Sequence, residues 1–223
     1  MALILPSQRI AYFPVPKVAC TSIKSMFFEI ENGRPFQPLR RFGQMFHIHN
    51  FYGTQPFARQ DLKGVADFWR FAVYRDPVAR FLSCYSNRVL HFRELSAQML
   101  SPAAQKAGAL PDPDLDSFVE RIELYREFSP SIRHHVAPQV SFLGRDPGYF
   151  QQIYTMAELP QMVAELSQRI GRSLRLPHEQ RGGPKLTPAD LSANAQERLA
   201  QIYRADFRWA EKAGIGPAGL GSA

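Results

Sequence analysis

Two stretches of this chain carry residue types that hold anions. The run Pro16-Lys17-Val18-Ala19-Cys20-Thr21-Ser22-Ile23-Lys24 sets lysines, small residues and two hydroxyls directly ahead of an apolar pattern with helical spacing. Where a strand ends and a helix begins, free backbone N–H groups and the positive end of the helix dipole attract a phosphate. The run is not a Walker A loop, since G-x-x-x-x-G-K-[ST] and its glycines are absent. Taken alone, such a turn is more often an ordinary helix cap than a ligand site. A second turn changes the balance. Arg75 and Ser83, eight residues apart across another strand-to-helix junction, can offer a charge-assisted contact and a hydroxyl to a second phosphate. Two such cradles imply a bisphosphate ligand. The plain alternatives are a surface pair between Arg75 and Asp76 and a neutral helix position for Ser83.

Chemistry on such a ligand needs a group that accepts a proton near neutral pH, and histidine fits with its ordinary pKa near 6.5. The chain has six histidines. His47 and His49 lie between the two cradles, His134 and His135 sit ahead of Pro138-Gln139, and His91 and His178 read as solvated. Glu29, Glu94 and Glu120 are the carboxylate alternatives. His47-Ile48-His49 has no third partner at metal-ligand spacing, so no metal is expected.

The elements that would present these residues follow from periodicity. Ile10 to Phe13 is a short buried strand; a proline-bracketed turn follows, and Ile23, Met26, Phe27 and Ile30 match the helical template up to Gly33. Phe68 to Tyr74 repeats the pattern as a strand, Asp76-Pro77 caps a helix, and Val78, Phe81, Leu82, Tyr85 and Val89 form its apolar face. Pro35 to Lys63 reads as loop with short elements, and Gln98 to Asp114 as a surface insertion. Asp116 to Arg126 reads as a helix, Gln151 to Met156 as a third strand, and Glu158 to Ile170 as a helix closed by Gly171. A final helix opens at Thr187-Pro188. Repeated strand–loop–helix units imply an α/β fold with a central parallel sheet flanked by helices, in one domain spanning residues 1–223.

Composition bounds the rest. With 45% hydrophobic and 21% charged residues, the chain can bury a core and is unlike disordered sequences. Two cysteines, Cys20 and Cys84, cannot staple a secreted scaffold and read as reduced packing residues. No apolar run is long enough to span a bilayer, and the absence of a leader pattern suggests a cytoplasmic protein. The net charge of +7 suits a phosphate-rich ligand. Lysine and arginine are spread along the chain rather than clustered, so nucleic acid is not expected as a partner.

The first run resembles the 5′-phosphosulfate-binding motif of sulfotransferases that use 3′-phosphoadenosine 5′-phosphosulfate (PAPS), in the P-K-V-A-C-T-x-x-K form of the carbohydrate branch. Phe71-Ala72-Val73-Tyr74-Arg75-Asp76-Pro77-Val78-Ala79-Arg80-Phe81-Leu82-Ser83-Cys84-Tyr85 resembles the family's 3′-phosphate motif, with Tyr74 where valine is usual. Weaker echoes are His135-Val136-Ala137-Pro138-Gln139, Ile153-Tyr154 through Glu158-Leu159, and Tyr203-Arg204-Ala205-Asp206-Phe207, so the resemblance spans roughly residues 10 to 210. It implies a P-loop-like three-layer fold and transfer of a sulfuryl group from PAPS to a hydroxyl acceptor, a glycan or glycolipid precursor. Lys17 would contact the 5′-phosphosulfate and act in catalysis by steadying the bridging oxygen as it leaves, with Val18, Ala19, Cys20, Thr21, Ser22 and Lys24 around it, and Arg75 and Ser83 would take the 3′-phosphate. Phe46-His47-Ile48-His49 resembles the H-x-H element of uronyl sulfotransferases, which makes His49 the base, with His47 next. Arg181 and Lys185, in a glycine-rich loop before the last helix, are further nucleotide contacts. Rival readings are a nucleotide-dependent kinase, which would bind a magnesium nucleotide triphosphate, and a non-catalytic polyanion binder.

Overall fold

The computed structural model describes residues 1–41, 43–177 and 182–216. In chain order, β1 (Leu3–Leu5) turns into β2 (Ile10–Phe13), followed by α1 (Cys20–Asn32), β3 (Leu39–Arg41), β4 (Gln44–Phe46), α2 (Ile48–Phe51) and β5 (Trp69–Tyr74). Then come α3 (Pro77–Cys84) with a π-helical extension over Tyr85–His91, α4 (Pro102–Lys106), α5 (Leu115–Glu120), α6 (Ile122–Phe128), α7 (Pro130–Val136) and α8 (Val140–Leu143). The chain ends with β6 (Gln152–Thr155), α9 (Leu159–Ile170), α10 (Ala193–Ile202) and α11 (Arg204–Lys212). These elements group into two compact units, Met1–Arg75 with Ser141–Gln180, and Asp76–Val140 with Arg181–Ala223.

The first unit is built on a sheet of order β1-β2-β5-β6, with β1 antiparallel to β2 and the other pairs parallel. This is the mixed α/β architecture, with a mostly parallel sheet flanked by helices, that the sequence implies. Ile10 through Phe13 and Phe71 through Val73 are all inaccessible to solvent, as strands covered on both faces must be. Phe13 pairs with Ala72, so the turn after β2 and Arg75 after β5 leave neighbouring strands at the same carboxyl edge. That edge is where open α/β sheets place their ligands. The helix α1 buries Ile23, Met26 and Phe27 and stops at Gly33, whose φ of 67° is the left-handed cap a glycine accepts without strain.

The second unit is helical. Phe81, Phe118, Tyr125, Leu199 and Tyr203 form its fully buried centre. The segment expected as a surface insertion is in part core: Leu100, Ala104 and Ala109 are buried. Ser101 caps α4, and Tyr125 and Tyr85 donate hydrogen bonds to the carbonyls of Leu110 and Pro113, drawing the small apolar residues inward. The helix expected over Asp116–Arg126 breaks at Arg121 into α5 and α6. The final helix starts at Ala193 instead of Thr187. Thr187 and Pro188 open only one 3-10 turn, closed by the Asp190 carboxylate on the Thr187 N–H, and Ser192 supplies the true cap.

Candidate active site

The turn after β2 does without glycine where a phosphate loop would use it. Lys17 and Ala19 both adopt left-handed backbone, at φ 67° and 57°, a conformation that costs a residue with a Cβ of order 1 kcal/mol. Ala19 is the N-cap of α1 and gives it no side-chain cap. The first-turn amides of α1 are therefore presented without a competing side-chain acceptor, beside the hydroxyls of Thr21 and Ser22 and the half-buried Lys17. Arg75 donates from Nη1 to the Lys17 carbonyl at 3.1 Å, so the guanidinium singled out by the second motif braces the loop of the first.

One face of α1 carries the rest. Thr21, Lys24, Phe28 and Glu31 follow the i, i+3, i+7, i+10 stripe, and α2 packs along it. Phe51 meets Phe28 with ring centroids 5.7 Å apart and also stacks edge-on against Phe36 and Phe46. The Tyr52 hydroxyl donates to Glu31, and Ile48 is buried. These anchors deliver His49 onto the start of α1. Its Nε2 lies 3.0 Å from Thr21 Oγ1 and its Nδ1 3.1 Å from Lys24 Nζ, while Lys24 donates to Thr54 Oγ1 at 2.7 Å. Lys24 is fully buried. Burial holds its ammonium down to about 8, against a partial opposing pull from Cys20. His47, exposed like His49, has a different position: its backbone N–H donates to Asn50 Oδ1 at 2.8 Å as the N-cap of α2.

The other sequence candidates divide between the units. Val18, Cys20 and Ser22 are buried in the first, whereas Ser83 is half-buried on α3 of the second. Lys185 is exposed, and Arg181 lies outside the described residues. The loop beside them is held down: Gly183 sits at φ +83°, where a Cβ would come within 2.2 Å of the Ser86 carbonyl oxygen, and Ser86 Oγ donates to the Pro184 carbonyl at 2.5 Å.

His135 is occupied by structure. Its Nδ1 faces the Ser131 carbonyl at 2.8 Å and must donate, so its Nε2 accepts from Arg88 Nη2 at 3.0 Å. Arg80, which the second motif also contains, donates to the carbonyls of His135 and Ala137. The terminal Tyr203-to-Phe207 motif explains itself in the same way. Tyr203 donates to the Val136 carbonyl at 2.8 Å, and buried Asp206 accepts from the N–H groups of Gln139 and Val140 at 2.8 and 3.0 Å. The echoes at His135–Gln139 and Tyr203–Phe207 are thus one clamp. Cys20 and Cys84 are free and buried. Sequence reasoning missed Thr54, which carries no signal beyond its type, and did not pair Lys24 with His49.

A family model described as the sulfotransferase family matches residues 1–209 of the 223. No curated protein and no solved structure matches the chain. No helix among the described residues is long and apolar enough to cross a membrane. Coverage of nearly the whole chain, over both strand-to-helix turns and the clamp of the second unit, makes this protein a member of the sulfotransferase family and so an enzyme of sulfuryl transfer.

Proposed function

We propose that the protein transfers a sulfuryl group from PAPS to a hydroxyl of a carbohydrate acceptor, with His49 as general base. The observation that carries the reading is the turn Lys17–Ser22, strained at two positions, without a side-chain cap, braced by Arg75 and met by His49. Such a turn fits a phosphate-bearing nucleotide, because its amides, hydroxyls and lysine offer donors and positive charge and no carboxylate. When bound, the nucleotide supplies the activated sulfuryl group. Lys17 brings positive charge to the turn, and Thr21 and Ser22 with the amides of Ala19 to Ser22 hold the 5′-phosphate. Arg75 serves the 3′-phosphate. Ser83 is assigned there by its motif, and Arg181 and Lys185 are assigned to the nucleotide by their loop.

His49 acts as base at Nε2, the ring atom that faces Thr21 and the head of α1. In-line transfer needs positioning and charge neutralisation more than covalent help, which is what this turn is equipped to give. The carbohydrate acceptor, a glycan or glycolipid precursor, rests on the likeness of both motifs to the glycan-modifying branch; sulfated product found only on amines or phenols overturns it.

Calorimetric titration of 3′-phosphoadenosine 5′-phosphate tests the nucleotide. Tight binding is expected, weakened by about 2 kcal/mol when Arg75 is replaced by alanine or when 5′-AMP is used instead, as for one lost charge-assisted contact. Equal affinity for the bisphosphate and 5′-AMP overturns the reading and turns attention to magnesium nucleotide triphosphates.

A further inference from the structure

Thr21, His49, Lys24 and Thr54 form one hydrogen-bonded chain, and counting its protons restricts what His49 can do. Thr21 Oγ1 meets Nε2, Nδ1 meets Lys24 Nζ, and Nζ meets Thr54 Oγ1. An ammonium only donates. While Lys24 is charged, Nδ1 must accept from it. The neutral ring then carries its proton on Nε2, which donates to Thr21, and no ring lone pair is left for a substrate proton. When Lys24 gives up a proton, its amine accepts from Nδ1–H and Nε2 becomes the basic atom.

We propose that Lys24 is a positioning residue that selects the tautomer of His49, so that His49 can act as base only when the Lys24 side chain is a neutral amine. The inference rests on the reading of His49 as the base. Burial works in its favour: a fully enclosed ammonium is disfavoured by desolvation, and that of Lys24 titrates about 8 instead of 10.5. Titratable groups facing the pair include Cys20, one turn earlier on α1, which favours the ammonium, and the amino group of Met1, which burial and the Lys24 charge hold down to about 6, so that it is neutral where Lys24 titrates. Lysine and histidine lose their protons as one coupled system.

The cycle closes on its own protons. As the acceptor O–H breaks and the new O–S bond forms, the proton goes to Nε2. The electron pair of the broken S–O bond stays on the departing phosphate oxygen. The resulting imidazolium passes its Nδ1 proton to the Lys24 amine, which regenerates the ammonium and the Nε2–H ring. One proton must then leave to solvent before the next turnover.

Long-range ¹H–¹⁵N NMR of the ligand-free, labelled protein reads the tautomer directly, with the His49 signals assigned by their loss in His49→Asn. The wild type is expected to show the Nε2–H ring at pH 7 and to cross to Nδ1–H around pH 8. Thr54→Val, which removes an acceptor of the ammonium, should move the crossover to lower pH, and Lys24→Met should abolish it. An unchanged tautomer from pH 7 to 9.5, or the same crossover in Lys24→Met, overturns the proposal; if Lys24→Met fails to fold, an unshifted crossover in Thr54→Val does so.

In turnover, kcat/KM should rise about tenfold between pH 7 and 9 in the wild type. It should be flat in Lys24→Met and low throughout in Lys24→Arg, whose guanidinium cannot give up a proton. A lysine that merely lends charge to phosphate would give the opposite order, with arginine rescuing and methionine failing. A crossover seen by NMR in a protein that retains transfer after His49→Asn overturns the base assignment and keeps the switch. Transfer that needs His49 while its ring stays in one tautomer overturns the switch and keeps the base.

Discussion

A buried ammonium is costly below its folded pKa, and Lys24 shows where that cost falls. Lysine titrates at 10.5 in a free chain and about 8 here, chiefly through desolvation. Between those values the unfolded chain binds more protons than the folded one, so the unfolding free energy rises with pH across that window. The penalty is present in full below about pH 8 and relieved by about pH 10.5, a change of roughly 3 kcal/mol from this group. Urea unfolding of the wild type and Lys24→Met at pH 7.5 and 10.5 should show the wild type gaining on the variant by up to that amount; parallel curves would mean that Lys24 is not buried as a cation. Residue types along the motif could be read from the sequence, including Lys17, Thr21, Arg75 and His49. The Lys24–His49 pair could not, because it joins positions 25 apart through a helix, α2, of only four residues.

The helix α1 shows how one element combines stability with function. Its periodic apolar face and its glycine stop were both visible in the sequence; the structure sets its start at Cys20. Less visible was the price of that start, since nothing in the letters says that Lys17 and Ala19 will be left-handed. Glycine at position 19 would adopt φ 57° without a Cβ clash and is also the better N-cap than alanine. Ala19→Gly should therefore stabilise the free protein by about 1 kcal/mol. It should also weaken nucleotide binding several-fold, because a turn with more freedom must be ordered on binding. Scanning calorimetry with and without 3′-phosphoadenosine 5′-phosphate separates the two effects; a lower melting temperature for the free variant would show that the left-handed turn is not under strain. Other boundaries escaped the sequence for a different reason. Arg121 and Tyr203 interrupt runs with continuous helical periodicity, where α5 packs on α10 and the Tyr203 hydroxyl donates to the Val136 carbonyl.

Neither compact unit is a contiguous piece of chain, and that has consequences for folding. The first needs Met1–Arg75 together with Ser141–Gln180, because β5 is sandwiched between β2 and β6 and pairs with β6 from Phe71 opposite Gln152 to Tyr74 opposite Thr155. The local strand and helix patterns gave the α/β class correctly, since each strand–loop–helix stretch carries its own periodicity. They placed a third strand at Gln151–Met156 but could not show that the chain, leaving the sheet at Tyr74, returns at Gln152 as the neighbour of β5, which is a property of long-range contacts. A fragment ending at Arg75 would keep β1, β2, α1 and β5 but expose the Phe71–Tyr74 edge, a row of unpaired N–H and C=O groups on a strongly apolar strand. It would also lose the aromatic cover that Tyr149, Phe150 and Tyr154 give to Phe13 and Phe71. Expressed alone, Met1–Arg75 should show no cooperative thermal transition by circular dichroism and should aggregate, while the full chain melts cooperatively. Adding residues 141–180 through a short flexible linker restores β6 and α9 at a loop-closure cost of only a few kcal/mol, so that chimera should recover a cooperative transition. A sharp melt from Met1–Arg75 by itself would show that the sheet's stability does not depend on its returning strand.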